Sequence, residues 1–351
     1  MAGFNVGVIG ATGAVGQEFL KILEKRNFPI ASLKLLASQR SVGRRIFYNH
    51  TELEVQETTH QAMHGLDMVF ISATGAVSKE YAPVAANMGA VAIDDSSTWR
   101  MDPQVPLVVP EVNGEDLKNH KGIVSTPNCT TVPMVMVLAP LHKINPVKRI
   151  TVSTYQAVSG TGRAAMEELS AQVRLVIEGK SVVPHIYPHQ IAFNILPEVD
   201  VFLDTGYTRE EWKMSEETKK IMHAPELAIS ATCVRVPVYI SHSESIQVEF
   251  ASPFPVEEAR SIFMETPGVR LLDDPAVSLY PHPWAVAGTD EVFVGRLRQD
   301  SSHPNGLVMW VSADNLRKGA ALNAIQIAEE LVKMNLVRST RTSSTEPLYK
   351  G

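Results

Sequence analysis

In the N-terminal part of the chain, short apolar runs alternate with longer stretches whose apolar residues recur at helical spacing. Val6 to Ile9, Ser32 to Ala37, Met68 to Ser72, Val91 to Asp94 and Gly122 to Ser125 are the runs. Gln17 to Arg26 continues from Val15 with Phe19, Ile22 and Leu23 on one helical face, and Ser78 to Met88 and Thr130 to Leu141 read as further helices. Strands alternating with helices predict an α/β unit built on a doubly wound parallel sheet.

Beyond Leu141 the pattern changes. Arg149 to Ser153, Thr232 to Val238, Ser245 to Phe250, Val292 to Arg298 and Gly306 to Ser312 read as strands, and Gly162 to Ile177 as a helix. Val248 and Phe250 alternate with Gln247 and Glu249, the signature of a sheet packed on one face and wet on the other. This predicts a second, mostly antiparallel α+β domain. A last helix is expected to start at Asp314-Asn315, capped by Asp314, and to run through Ala321, Ala324, Ala328 and Leu331 toward Val332. The expected division sets residues 1–128, completed by a C-terminal helix over 314–335, against 129–313, with a loose Ser- and Thr-rich tail over 338–351.

The 351 residues suffice for two cores that fold without staples. The two cysteines, Cys129 and Cys233, form neither a disulfide framework nor a metal-ligand cluster, so no metal is expected and a reducing, cytoplasmic compartment is. A net charge of -6 argues against a nucleic-acid-coating surface. The chain enters its first strand without a basic region followed by a long apolar one, which speaks against a signal peptide. No apolar run approaches the roughly 20 residues of a membrane helix, so no membrane partner is expected.

Candidate chemistry begins at the first strand–helix junction. Gly10-Ala11-Thr12-Gly13-Ala14-Val15-Gly16 separates the strand Val6 to Ile9 from its helix, an arrangement that lets backbone N–H groups approach a pyrophosphate at a helix N-terminus. The spacing is GxxGxxG, where the common dinucleotide pattern is GxGxxG. After the next strand come Ser38, Arg40 and Ser41, where an NAD site usually carries an acid about 20 residues beyond the glycine loop. Hydroxyls and arginines suit a ribose 2′-phosphate, so the expected cofactor is NADP.

Cys129 stands between Pro127-Asn128 and an apolar helix. A helix N-terminus stabilises a thiolate and can also hold a developing oxyanion. Its loop, like Ser72-Ala-Thr74-Gly75 and Asp94-Asp-Ser-Ser, follows a strand C-terminus, where ligands gather in open α/β sheets. Cys233 reads as packing.

Several segments together resemble the aspartate-β-semialdehyde dehydrogenase family. They are the glycine loop, Asp94-Asp-Ser-Ser-Thr-Trp-Arg100, Val109-Pro-Glu-Val-Asn113, Pro127-Asn-Cys129-Thr-Thr, Tyr155-Gln-Ala-Val-Ser-Gly-Thr-Gly162, Glu210-Glu-Trp-Lys213, Val234-Arg235-Val-Pro-Val, His242-Ser-Glu-Ser and Asp314-Asn-Leu-Arg-Lys-Gly-Ala-Ala321. They occur in family order and span nearly the whole chain. The resemblance implies a Rossmann-type NADP-binding domain, a catalytic and dimerisation domain, and a homodimer. It implies reversible NADPH-dependent reduction of aspartyl-4-phosphate to aspartate-4-semialdehyde and phosphate, a step toward lysine through diaminopimelate, methionine and threonine.

The same resemblance assigns roles. Cys129, beside Asn128, becomes the nucleophile whose thioester accepts hydride, and His242 the acid–base group. Gln156 orients the acyl group, Arg235 binds the α-carboxylate and Glu210 the ammonium, while Arg100 and Lys213 bind phosphate. Ser159, Gly160 and Asn315 contact the cofactor, as do Thr74 and Gly75, in a loop that departs from the family's Ala-Gly-Gly-Ser character. Arg235 and His242 are seven apart, so an unbroken strand would point them to opposite faces; Pro237 between them predicts a break. N-acetyl-γ-glutamyl-phosphate reductase shares the fold and cysteine, but its substrate has no free ammonium for Glu210. A catalytically silent binding protein of the same fold is the third reading, and it has no need of Cys129, Gln156, Arg235 and His242 together.

Overall fold

The computed structural model describes residues 3–337, so the expected tail over 338–351 lies outside the described residues. Contacts divide the described residues into two units, one of residues 3–110, 114–127 and 321–337, the other of 111–113 and 128–320.

The first unit is built on β1 (Phe4–Ile9), β2 (Ile30–Ala37), β3 (Arg45–Tyr48), β4 (Thr51–Glu57), β5 (Met68–Ile71), β6 (Val91–Asp94) and β7 (Ile123–Ser125). Their order is β3-β4-β2-β1-β5-β6-β7. Every junction is parallel except β3–β4. On one face Phe19, Leu20, Ile22 and Leu23 of the helix Ala14–Lys25 pack with Ile325, Ala328 and Leu331 of the helix Leu322–Lys333. On the other, Ala82 and Ala85 of the helix Gly75–Asn87 meet Ile9, Leu36, Val69 and Ile71. Both faces are thus covered, as strands this apolar require: burying each such aliphatic side chain is worth about 1.5–3 kcal/mol. The antiparallel β3–β4 hairpin was not among the expected elements. Asn49 and His50 turn it with φ of 43° and 63°, the left-handed pair a tight two-residue hairpin demands, and Tyr48 pairs with Thr51.

The second unit contains β8 (Val147–Gln156), β9 (Ala228–Arg235), β10 (His242–Phe250), β11 (Val269–Leu271), β12 (Val292–Gln299) and β13 (Gly306–Ala313), ordered β11-β12-β13-β10-β8-β9. The three inner junctions are antiparallel and the two outer ones parallel, which makes the sheet mixed. Its helix Thr131–Ile144 is buried at nearly every position, including Val132, Met134, Val135 and Leu138. The helix Arg209–Ile221 opens on a reciprocal capping box: the Thr208 side chain accepts the Glu211 N–H, and the Glu211 carboxylate accepts the Thr208 N–H.

Two local features decide where side chains point. The extended strand is interrupted between β9 and β10, which flank β8 on opposite sides, so Arg235 ends one strand and His242 opens another. The expected final helix is corrected at its start. Asp314 does accept the Leu316 and Arg317 N–H groups, yet the next turn, Arg317–Ala321, is π-helical and regular helix begins only at Leu322.

Candidate active site

In the first unit a cavity of about 600 Å³ opens at the C-terminal ends of β1, β2, β4 and β5. Gly10, Thr12, Gly13, Ser38, Arg40 and Thr74 are among its lining residues. Gly10 has φ 85°, and a Cβ there would lie 2.0 Å from the Ser72 oxygen, so only glycine lets the loop pass this close to β5. Gly16 does packing work of the same kind, since a Cβ would meet the Gly10 oxygen at 2.3 Å. Ala11 is fully buried, while Ala14 and Val15 start the helix. That helix has no side-chain cap, which leaves its first N–H groups for an anion. Thr12 and Ser41 bring their hydroxyls within 3.4 Å of each other. Gly75 opens the next helix, and its carbonyl accepts the Thr98 hydroxyl.

An acid does stand in this cavity, although sequence spacing hides it. Register of β2 with β4 places Glu57 beside Ala37, and Glu57 lines the cavity. With its amide nitrogen facing Glu57, Gln39 donates to both carboxylate oxygens at 2.9 and 2.8 Å. The glycine loop, uncapped helix and Arg40 fit a dinucleotide phosphate.

Arg100 is buried in the same unit and donates from Nη2 to the Asp95 carbonyl at 2.9 Å. The Asp95 carboxyl accepts the Thr126 hydroxyl at 2.8 Å. Burial pushes it up to about 6, against the opposing pull of Arg100.

In the second unit, Cys129 is half-buried in a loop fixed by its predecessor. The Asn128 carbonyl accepts the Val132 N–H at 3.0 Å, and Asn128 Oδ1 accepts both the N–H (2.9 Å) and the hydroxyl (2.6 Å) of Thr130. The Asn128 N–H donates to Glu217 Oε2 at 2.6 Å. Glu217 was not among the expected residues. It lies two helical turns beyond Glu210, and Glu210, Met214, Glu217 and Ile221 share the buried face of one helix. Acids at the apolar spacing of a helix were the available signal.

Gln156, Glu210 and Lys213 form one network. Gln156 Nε2 donates to Glu210 Oε1 at 3.0 Å, and Lys213 Nζ donates to Glu210 Oε2 at 3.1 Å and to Asp200 Oδ2 at 2.7 Å. Burial would raise the Glu210 carboxyl, but Lys213 and hydrogen bonds from Asn128 and Gln156 outweigh it and hold the group below its ordinary value. Lys213 is correspondingly raised, its two carboxylates overcoming desolvation.

Arg235 and His242 meet the end of β8 from its two sides. Arg235 pairs with Gln156 along β9, donates from Nη1 to the Ala157 carbonyl at 2.7 Å, and has the Tyr187 ring 5.9 Å from Cζ. His242 Nδ1 accepts the Ala157 N–H at 2.9 Å. Burial first and the Arg235 charge second hold His242 well below the usual histidine range, so the ring is neutral. With Nδ1 occupied as acceptor, the proton of that neutral ring resides on Nε2. Arg235 Nε and His242 Nε2 are both buried without a partner. Gly160 leaves room beside them: a Cβ there would lie 3.1 Å from Arg235 Nη1 and from His242 Nε2. Asn315 Oδ1 accepts the Ser159 hydroxyl (3.0 Å) and the Ser241 N–H (2.9 Å), tying together the loops that precede and follow this cluster. Cys233 is buried, pairs with Met214, and its thiol is pushed up by burial.

Residues 138–318 match the family described as "Semialdehyde dehydrogenase, dimerisation domain", and residues 5–120 match "Semialdehyde dehydrogenase, NAD binding domain". Aspartate-semialdehyde dehydrogenase of Aquifex aeolicus (strain VF5) is 51% identical over 339 residues, covering 95% of this chain and all of the relative. The chain belongs to the aspartate-semialdehyde dehydrogenase family. Its Bacillus subtilis (strain 168) relative is 48% identical over 95% of this chain and 99% of its own length. Aspartate semialdehyde dehydrogenase II of Vibrio cholerae, solved in complex with ASA, superposes with a TM-score of 0.91 at 41% identity, covering 95% of this chain and 99% of that one. The Candida albicans aspartate semialdehyde dehydrogenase with NADP gives a TM-score of 0.73 at 27% identity, with 95% and 99% covered. Among the described residues no helix is long and apolar enough to cross a membrane.

Proposed function

We propose that this chain catalyses the reversible, NADPH-dependent reduction of L-aspartyl-4-phosphate to L-aspartate-4-semialdehyde and phosphate, through an acyl-thioester on Cys129. The observation that carries the reading is the pair of buried, unpartnered nitrogens at one sheet end, Arg235 Nε and His242 Nε2. Buried donors of this kind cost about 1–3 kcal/mol each unless a partner arrives, and a carboxylate for Arg235 together with an acyl oxygen for His242 would supply both.

The Cys129 thiolate, its proton already lost to solvent, attacks the acyl carbon, the bond to phosphate, a good leaving group, breaks, and the resulting thioester accepts hydride more readily than a carboxylate; collapse of the reduced adduct breaks the carbon–sulfur bond, releasing the semialdehyde and returning the thiolate. Reduced nicotinamide, when bound, supplies that hydride. Arg235 holds the α-carboxylate, Glu210 receives the ammonium, Gln156 orients the acyl group, and Arg100 and Lys213 bind phosphate. His242, with its proton on Nε2, donates to the acyl oxygen as negative charge develops there. Removing the thiol proton at Nε2 would first require that nitrogen to be empty, and hence a ring released from the Ala157 N–H. An N-acetylated substrate would bring no ammonium to Glu210.

Gly10 to Gly16, Ser38, Arg40, Ser41, Thr74 and Gly75 would hold the nucleotide, with Ser159, Gly160 and Asn315 on the nicotinamide side. We assign NADP over NAD because Arg40 lines the cavity and Glu57 is engaged by Gln39. Residues 1–128 with the C-terminal helix would form the NADP-binding domain, and 129–313 the catalytic and dimerisation domain. A homodimer is supported by the family description and by exposed Phe193, Ile195, Val201 and Phe202. The setting proposed is the cytoplasm and the route to lysine, methionine and threonine.

Adding semialdehyde, phosphate and NADP to the purified protein should raise the absorbance of reduced nicotinamide. A flat trace from folded protein would favour a catalytically silent relative.

A further inference from the structure

Gly319 occupies the middle of the π-helical turn Arg317–Ala321. A Cβ at this position would meet Cys129 Cβ at 3.0 Å, the Cys129 carbonyl oxygen at 3.2 Å and Cys129 Cα at 3.3 Å. These are main-chain atoms and the first side-chain carbon, so no rotamer change relieves the contact. One of the two walls must move.

Both walls are held by hydrogen bonds, so the movement is limited to a few tenths of an ångström. The turn is anchored by Asp314, whose carbonyl accepts the Gly319 N–H at 3.2 Å and whose Oδ1 accepts those of Leu316 and Arg317. Its side chains add Arg317 Nε to Asp290 at 2.8 Å and Lys318 Nζ to Glu111 at 2.7 Å, the latter from a lysine only 1% exposed. The opposite wall is the Asn128–Cys129–Thr130 loop, held by Glu217 and by the hydrogen bonds of Asn128. The extra residue of a π-turn is rare and concentrates at functional sites. Here the side-chain-free position of that turn faces the backbone of the proposed nucleophile.

We propose that Gly319 is a positioning residue, whose bare Cα sets where the Cys129 sulfur stands for attack. The proposal rests on the reading of Cys129 as nucleophile. A displacement of a few tenths of an ångström is enough to matter, because a misplacement of about 1 Å can cost on the order of 100-fold in rate.

The test compares wild type, Gly319→Ala and Cys129→Ser by steady-state kinetics, by iodoacetamide labelling of Cys129 followed on its peptide, and by thermal melting. Gly319→Ala should lower kcat by about tenfold with KM for the semialdehyde within about twofold, and should change the labelling rate of Cys129 while the melting temperature holds. Wild-type kcat and labelling in Gly319→Ala, with Cys129→Ser inactive, would overturn the proposal and leave the nucleophile assignment standing. An active Cys129→Ser would instead remove the nucleophile and the proposal with it. If Gly319→Ala does not fold, the same change is made in Cys129→Gly, which lacks the Cβ it collides with. Recovered folding there supports the contact, and continued failure overturns it.

Discussion

His242 accepts the backbone N–H of Ala157 through Nδ1 at 2.9 Å, the residue whose carbonyl also receives Arg235. One residue just past the end of β8, Ala157, therefore sets both the tautomer of the histidine and the rotation of the arginine. Nitrogen-15 chemical shifts should show His242 Nε2 protonated and Nδ1 unprotonated at neutral pH, with the ring gaining its second proton only well below the ordinary histidine range, because burial and the Arg235 charge disfavour the cation. A ring that gains a proton near pH 6.5, or carries it on Nδ1, would refute that arrangement. Replacement by alanine should lower kcat by roughly 100- to 10,000-fold.

Gly160 faces the same two side chains. Gly160→Ala would place a methyl 3.1 Å from Arg235 Nη1 and His242 Nε2. The expected result is a protein of unchanged melting temperature that has lost about tenfold or more in kcat/KM for the semialdehyde, because both groups shift at once. Wild-type kcat/KM in this variant would show that the contact is absorbed without consequence.

Much of this was legible in the sequence, and the limits have physical reasons. Alternating strands and helices gave the parallel sheet because strands buried on both faces are almost wholly apolar, as in Met68–Ile71 and Val91–Asp94. The β3–β4 hairpin escaped because its strands, at and next to the sheet edge, are mostly exposed, with only Val55 fully buried along Thr51–Glu57. Pro237 correctly signalled the break that separates Arg235 from His242. Glu57 could not be found by counting from the glycine loop, since only pairing of β4 with β2 brings it to the cavity. Glu217 and Gly319 act through the backbone of the Asn128–Cys129 loop, and a contact made to backbone leaves no residue-type signature in the partner.

Asp95 gives a pH signature. Its carboxyl is raised to about 6 from 3.8, so the folded state prefers the neutral form. Stability is therefore unpenalised below the unfolded value and is lost as pH rises toward and through 6. Asp95→Asn, which cannot ionise, should raise the melting temperature at pH 8, with a gain of roughly 1–3 kcal/mol. That gain should shrink toward pH 5. A gain independent of pH, or a loss at pH 8, would contradict the assignment.

Cofactor choice should depend on Arg40 and on Gln39. Arg40→Ala should reduce the NADP over NAD preference by at least about tenfold, the loss of one charge-assisted phosphate contact. Gln39→Leu should reduce it further by releasing Glu57 toward the ribose. Equal kcat/KM ratios in wild type and both variants, from parallel assays with NADP and NAD, would show that the 2′-phosphate is not read here.

The proposed reaction turns on the Cys129 sulfur carrying the acyl group. It is tested most directly by mixing enzyme with semialdehyde and NADP in the absence of phosphate, quenching in acid and mapping the adduct by peptide mass spectrometry. An aspartyl thioester should appear on the Cys129 peptide and disappear when phosphate is added before the quench. An adduct on any other side chain, or reduced nicotinamide formed with no adduct on Cys129 at any time, would contradict it.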